Sequence, residues 1–324
     1  MPKRIFVTRP IPDQGLKLLK KKRYEVDIYP KDQAIPHKEL LKRLKAKRYD
    51  ALLSILTDKI DEAVFKAAGD QLNVVANFAV GFNNIDLEAA KRHHVIVTNT
   101  PGPEINESVA EHVIALMFAL AHRIVETDDY ARAGLYKGWG PQLLLGTDIT
   151  GKTLGIVGMG NIGMQLAHRM HDGFNMKIVY TSLEPNMEAE QKYGAKHMSL
   201  TQLLKTADIV SLHVPLLEST HHLIGKKELA LMKNTAFLIN TSRGPVVDEA
   251  ALVQALKQKS IGGAGLDVYE FEPRIHPTLK KLKNVITTPH TASATVATRQ
   301  AMSRRAAENI IAALSNKKPA NQIV

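Results

Sequence analysis

Thr153-Leu154-Gly155-Ile156-Val157-Gly158-Met159-Gly160-Asn161-Ile162-Gly163 is the stretch on which the reading of the fold turns. An apolar strand runs into the spacing G-x-G-x-x-G, and a helical segment, Met164 to Met170, follows at once. Glycines at this spacing carry weight because of that strand and that helix. The first glycine allows the tight turn, the second lets backbone approach a pyrophosphate, and the third lets the helix pack on the strand. A phosphate then meets free amides and the positive end of the helix dipole. Gly158, Gly160, Asn161, Ile162 and Gly163 are therefore read as a dinucleotide phosphate cradle.

Downstream, short apolar runs recur at Lys177 to Ser182, Ile209 to Val214, Ala236 to Thr241, Gly265 to Val268 and Val285 to Thr288. With the first strand these make six, with helical segments between most of them, which is enough for a complete doubly wound sheet. Upstream, Ile5 to Val7, Val26 to Ile28, Ala51 to Ile55, Val74 to Ala76 and Val95 to Val97 alternate with helical stretches such as Gln14 to Lys22 and Lys38 to Lys47. They predict a second, smaller βα domain. One long helix, roughly Asn106 to Ala131, is expected as the connector. A last helix, about Ala294 to Leu314, is long enough to return to the first domain.

The predicted class is α/β, two doubly wound βα domains, with a Rossmann cofactor domain (101–290) inserted in a flavodoxin-like substrate domain (1–100, rejoined by 291–324). A length of 324 residues suits two domains. An apolar fraction of 44% and a charged fraction of 23% are those of globular chains. The chain has no cysteine, which excludes disulfides, thiolate zinc and a cysteine nucleophile and fits a cytoplasmic setting. The run Val113 to Ala121 is too short to span a bilayer. The formal charge of +11 is spread over amphipathic segments without interleaved aromatics or a reader motif. That speaks for a solvated basic surface and substrate focusing, with no nucleic acid and no membrane as partner. His168 with His171, and the adjacent pairs His93-His94 and His221-His222, whose side chains are expected to diverge, offer no third ligand, so no metal is expected.

Three polar segments fall at carboxyl ends of strands, where open α/β sheets bind ligands. They are Asn240-Thr241-Ser242-Arg243-Gly244, Asp267-Val268-Tyr269-Glu270-Phe271-Glu272-Pro273 and Thr288-Pro289-His290-Thr291. With the glycine turn and Asn106-Glu107-Ser108-Val109-Ala110-Glu111-His112, in this order over nearly the whole chain, the pattern resembles the D-2-hydroxyacid dehydrogenases, among them glyoxylate/hydroxypyruvate reductases and phosphoglycerate dehydrogenases.

The resemblance implies that Arg243 grips the carboxylate and carbonyl oxygen of a small anionic 2-keto or 2-hydroxy acid. It makes His290 the acid/base and Glu272 its partner. The chemistry agrees: hydride arriving at a keto carbon leaves charge on oxygen, which calls for a cation and a proton donor in reach. A carboxylate beside the histidine favours the imidazolium and orients the ring. By the same resemblance, the amides of Val80 and Gly81 hold the substrate carboxylate, Asp267 with Thr241 and Ser242 addresses the nicotinamide end, and Val214-Pro215 borders the nucleoside. Glu272 and Val80 differ from the glutamine and lysine that formate and phosphite dehydrogenases place there.

Ser182 stands where the fingerprint expects an acid for the ribose hydroxyl, with Glu184 close by and no arginine after it. NAD and NADP both stay open. Oxidation of 3-phosphoglycerate is the alternative enzyme reading, and a cofactor-sensing corepressor is the reading of another class. Trp139 and Leu143 to Leu145 could cap the cleft by position, but packing of the connector or a second subunit is the plainer reading, and the family's habit implies a homodimer.

Overall fold

A computed structural model describes residues 2–324. Contacts divide the chain into two units, residues 1–105 with 294–324, and residues 106–293. In the first unit, β1 (Arg4–Val7), β2 (Glu25–Ile28), β3 (Ala51–Ile55), β4 (Val74–Phe78) and β5 (Ile96–Thr98) alternate with α1 (Asp13–Lys21), α2 (His37–Ala46), α3 (Glu62–Ala68) and α4 (Leu87–Arg92). The sheet order is β2-β1-β3-β4-β5 and every pair is parallel. Helices cover such a sheet on both faces, so its strands read as continuous apolar runs. Phe6, Leu52, Val75 and Val97 are wholly buried, and Leu40, Leu44 and Phe65 from the helices close over them.

The second unit takes up α5 (Pro103–Ala121) after its first residues and continues with α6 (Ile124–Arg132), β6 (Thr153–Val157), α7 (Asn161–Phe174), β7 (Lys177–Thr181), α8 (Met187–Tyr193), β8 (Lys196–His197) and α9 (Leu200–Thr206). Then come β9 (Ile209–Leu212), α10 (Lys226–Leu229), β10 (Phe237–Asn240), α11 (Glu249–Lys257), β11 (Gly263–Leu266) and β12 (Val285–Thr287). All are parallel in the order β12-β11-β10-β9-β6-β7-β8, so the chain reverses direction across the sheet between β6 and β9. That switch point lies beside the glycine turn, where ligands of such sheets bind. The chain ends in the first unit with α12 (Val296–Leu314), which packs along α1. There the Ser303 hydroxyl donates to the Pro12 carbonyl at 2.5 Å.

Three sequence expectations are corrected. The connector is two helices, because Arg123 adopts a left-handed backbone (φ 54°) and the axis bends by 60°. Both halves have helical periodicity, so the sequence pattern runs straight through the break. Tertiary bonds fix the break: the Ala121 carbonyl accepts from Thr147 N–H at 2.8 Å, and Arg123 Nη1 donates to the Leu145 carbonyl at 3.2 Å. The sheet has seven strands; β8 is two exposed polar residues and left no apolar signal. The rings of His221 and His222 do not diverge but stack, with centroids 4.1 Å apart, because His222 is left-handed (φ 51°).

No single helix among the described residues is long and apolar enough to cross a membrane. The apolar face of α5 is spent inside its own unit, where Val113, Leu116, Met117 and Leu120 join the core under β6. The basic charge is not shared evenly. Residues 1–105 with 294–324 carry 24 Lys and Arg against 14 Asp and Glu, whereas 106–293 carry 19 against 18. The excess therefore belongs to the first unit.

Candidate active site

The glycine turn leaves β6 and enters α7 with Gly160 as N-cap and no side-chain cap. Its three glycines answer to three constraints. Gly158 has φ +99°, and a Cβ there would stand 2.9 Å from the His213 carbonyl carbon. A Cβ on Gly163 would stand 2.6 Å from the Gly158 oxygen, so helix and turn touch backbone to backbone. A Cβ on Gly160 would meet nothing within 4 Å. The first and third glycines are thus demanded by packing. The second faces open space over the first turn of α7, whose amides at Asn161 and Ile162 take no bond from a cap side chain. This cradle fits a pyrophosphate.

The other expected cofactor residues surround that turn at successive strand ends. Val214 lies against Gly158, where its Cγ1 would be 3.1 Å from an added Cβ, and the Pro215 carbonyl is held by the Thr220 hydroxyl at 2.6 Å. After β10, the Thr241 hydroxyl is buried without a hydrogen-bond partner, as is expected of a group that meets a ligand. Ser242 is turned by its N–H and hydroxyl onto Asn240 Oδ1, at 3.0 and 2.9 Å. At the end of β7 the Ser182 hydroxyl donates to the Glu184 carbonyl at 2.5 Å, while Leu183 stands 98% exposed. Glu184 is exposed as well.

Arg243, Glu272 and His290 come from the ends of β10, β11 and β12. His290 Nδ1 lies 3.0 Å from Glu272 Oε2, which leaves Nε2 as the ring's outward nitrogen. The other oxygen of Glu272 accepts from Tyr269 N–H at 3.1 Å. Burial pushes the Glu272 carboxyl up. The bond and charge of His290, the Tyr269 amide and the Arg243 charge outweigh it and hold the group below its ordinary value. Arg243 is desolvated, which lowers its pKa, and Glu272 works in the opposite direction. Its Nη1 donates to the Ser242 carbonyl at 2.6 Å, fixing the start of the fork. The three residues thus share one electrostatic neighbourhood.

In the first unit, Val80 and Gly81 sit in the turn after β4. The Val80 carbonyl accepts from Asn99 Nδ2 at 2.7 Å and the Gly81 carbonyl from Asn77 Nδ2 at 3.0 Å. Asn84 ties the same loop to the carbonyls of Ile55 and Asp58, at 3.2 and 2.9 Å. With their carbonyls pinned by amide side chains, the two peptide units are held in one orientation. Sequence reasoning missed Asn77, Asn84, Asn99 and Asn240. The available signal was a polar residue closing an otherwise apolar strand, as in Val74-Val75-Ala76-Asn77 and Phe237-Leu238-Ile239-Asn240.

The sequence profile described as D-isomer specific 2-hydroxyacid dehydrogenase, NAD binding domain, matches residues 114–292. The chain belongs to the D-isomer specific 2-hydroxyacid dehydrogenase family. A glyoxylate reductase of Thermococcus litoralis is 46% identical, over 100% of this chain and 97% of the relative. The solved TT0316 protein of Thermus thermophilus superposes with a TM-score of 0.92 at 42% identity, covering 99% of this chain and all of that one. An NADPH-dependent glyoxylate/hydroxypyruvate reductase of Sinorhizobium meliloti, solved with NADP and malonate, gives a TM-score of 0.87 at 29% identity, with coverage of 100% and 97%. As a D-2-hydroxyacid dehydrogenase the chain is an NAD(P)-dependent oxidoreductase acting on a CH–OH group. The cradle of the second unit is the part that the family profile describes.

Proposed function

We propose that this dehydrogenase reduces a small 2-keto acid, with glyoxylate and hydroxypyruvate as its substrates, to the D-2-hydroxy acid. The observation that carries the reading is the His290–Glu272 pair at 3.0 Å, with Arg243 acting on the same carboxylate. The reduced cofactor, NADH or NADPH, supplies a hydride to the keto carbon. Gly158 to Gly163, Ser182, Val214, Pro215, Thr241, Ser242 and Asp267 would hold it. His290 gives the proton on Nε2 to the carbonyl oxygen, completing the CH–OH group, and Glu272 holds the ring through Nδ1. Arg243 stabilises the charge that develops on that oxygen. The amides of Val80 and Gly81 hold the substrate carboxylate, and the positive first unit draws anionic acids toward it.

The test is a panel of 2-keto acids with NADH and NADPH, read as loss of cofactor absorbance. Glyoxylate or hydroxypyruvate should turn over fastest. Oxidation of neither cofactor by any acid would sink the proposal, and faster turnover of phosphorylated acids would move it to 3-phosphoglycerate. Cofactor binding without turnover, with a protein partner captured only in that state, would favour the corepressor reading.

A homodimer is part of the proposal. Residues 124–145 expose Ile124, Val125, Leu135, Tyr136, Leu145 and Trp139, the last at 84%. That much apolar surface on one segment marks an interaction site. Light scattering at micromolar concentration should give twice the 35.8 kDa chain mass. A cytosolic setting completes the reading, since a cysteine-free chain gains nothing from an oxidising compartment.

A further inference from the structure

His290 has φ +55°, a left-handed backbone that residues with a Cβ seldom adopt. Such a conformation persists only where its surroundings over-determine it. Here the surroundings include the buried side chain of Asp267, two residues of α5, and the Tyr269 hydroxyl, which donates to the Thr288 carbonyl at 2.8 Å. Asp267, wholly buried, accepts from Thr291 N–H on Oδ1 at 2.7 Å and from Ala292 N–H on Oδ2 at 2.8 Å. The Asp267 carbonyl accepts from His290 N–H at 2.9 Å. The Thr288 hydroxyl lies 2.6 Å from Asp267 Oδ1, and the Ser108 hydroxyl of α5 donates to the Ala292 carbonyl at 2.9 Å. His112, one turn further along α5, places Nε2 3.1 Å from Thr288 Oγ1.

The direction of these bonds follows from counting protons. A carboxylate oxygen has no proton to give, so the one proton of the Thr288 hydroxyl is donated to Asp267 Oδ1. The Thr288 oxygen must then accept from His112, which fixes the proton of that ring on Nε2. The chain of donors runs His112 to Thr288 to Asp267, with His112 Nε2 itself 3.6 Å from Asp267 Oδ1, and Asp267 grips the two amides that follow His290. The expected contact of Asp267 with the nicotinamide is left to the second lone pair of Oδ2.

We propose that His112, acting through Thr288 and Asp267, is a positioning residue for His290: it sets the turn that aims the acid/base nitrogen. This rests on the reading of His290 as the acid/base. His112 bonds to neither member of the His290–Glu272 pair, so it acts on the reaction through geometry alone. Misplacement of a reacting group by about 1 Å costs on the order of 100-fold in rate, and a loosened turn should lose part of that.

The experiment compares His112→Phe, His112→Gln, Thr288→Val and the double variant His112→Phe/Thr288→Val, with His290→Gln as the control. All are measured for kcat at saturating cofactor and keto acid, for cofactor Kd by fluorescence, and for melting temperature. His112→Phe should lower kcat by about 10-fold or more with cofactor Kd within about 2-fold, by the positioning argument above. His112→Gln, which keeps a donor, should recover most of the loss. Because the bonds are in series, the double variant should be no slower than the worse single one. Unchanged kcat in His112→Phe, equal losses in the Phe and Gln variants, additive losses, or a loss confined to cofactor Kd would each overturn the proposal. If Phe at position 112 prevents folding, Thr288→Val against Thr288→Ser decides by the same criteria. Retained reduction by His290→Gln would instead sink the acid/base reading itself, whatever the His112 variants do.

Discussion

Two turns of the same sheet solve opposite problems. The turn after β6, Gly158 to Gly163, presents backbone: three of its six residues are glycines, and its first helix amides take no bond from a cap side chain. The turn after β12, Thr288 to Ala292, presents a side chain: its backbone groups are tied to Asp267 and Ser108 so that His290 points one way. Glycine suits the first because a phosphate must come within hydrogen-bond distance of N–H groups. A clamp suits the second, where His290 is the proposed proton donor, because such a group works only when its angle is held.

The sharpest way to break this contrast is to remove the presented group from each turn. His290→Gln should lower kcat for keto-acid reduction by about 100- to 10,000-fold while cofactor Kd stays within about 2-fold, the range for a lost general acid. Stopped-flow reduction and a fluorescence titration read the two quantities separately. Arg243→Ala comes next, raising keto-acid KM and lowering kcat together, by about 100-fold or more in kcat/KM, the size of a lost donor to developing charge. A change in KM alone would make Arg243 a binding residue only.

In the glycine turn, the two open questions of fold and ligand separate by position. Gly163→Ala drives a Cβ to 2.6 Å from backbone oxygen and should cost about 1–3 kcal/mol of stability, as overpacking does. Gly160→Ala meets no protein atom, so melting should not change while cofactor Kd rises by about 10-fold. Equal effects of the two substitutions on melting would show that the turn is a packing device and nothing more.

The smallest effect lies beneath the glycine turn. Desolvation holds the His213 ring neutral and lowers its pKa from 6.5 to about 4, with Nε2 2.8 Å from the Ser211 hydroxyl. The unfolded chain therefore binds a proton here that the folded chain refuses. The stability His213 contributes is complete above about pH 7 and is lost as pH falls through 6.5 toward 4. At pH 5 the loss is at most about 2 kcal/mol by this linkage. Melting temperatures of the protein and of His213→Gln between pH 8 and pH 5 should converge as pH falls.

The glycine turn, the strand ends and the grouping of Arg243, Glu272 and His290 were all legible in the sequence, because each depends on local chemistry: residue type, spacing, and position after an apolar run. The trio could be read off because strand ends of a parallel sheet lie on one edge, whatever their separation along the chain. The break at Arg123 was not legible, since helical periodicity continues on both sides of it and the distant partners at the bend are Leu145 and Thr147. Strand β8 escaped for want of apolar residues. The stacking of His221 on His222 depends on one left-handed residue that composition does not announce.

What the sequence alone determined is the kind of chemistry: a dinucleotide cradle, and a guanidinium, carboxylate and imidazole at successive strand ends. What only the tertiary structure decided is how each is held. Asp267 reads as a ligand contact in sequence, yet its oxygens are engaged by residues 21 to 25 positions away. Likewise His112 belongs in sequence to a motif on a long helix, with no role of its own. Its partner stands 176 residues on, and a hydrogen bond across that distance has no signature in either segment until the chain folds.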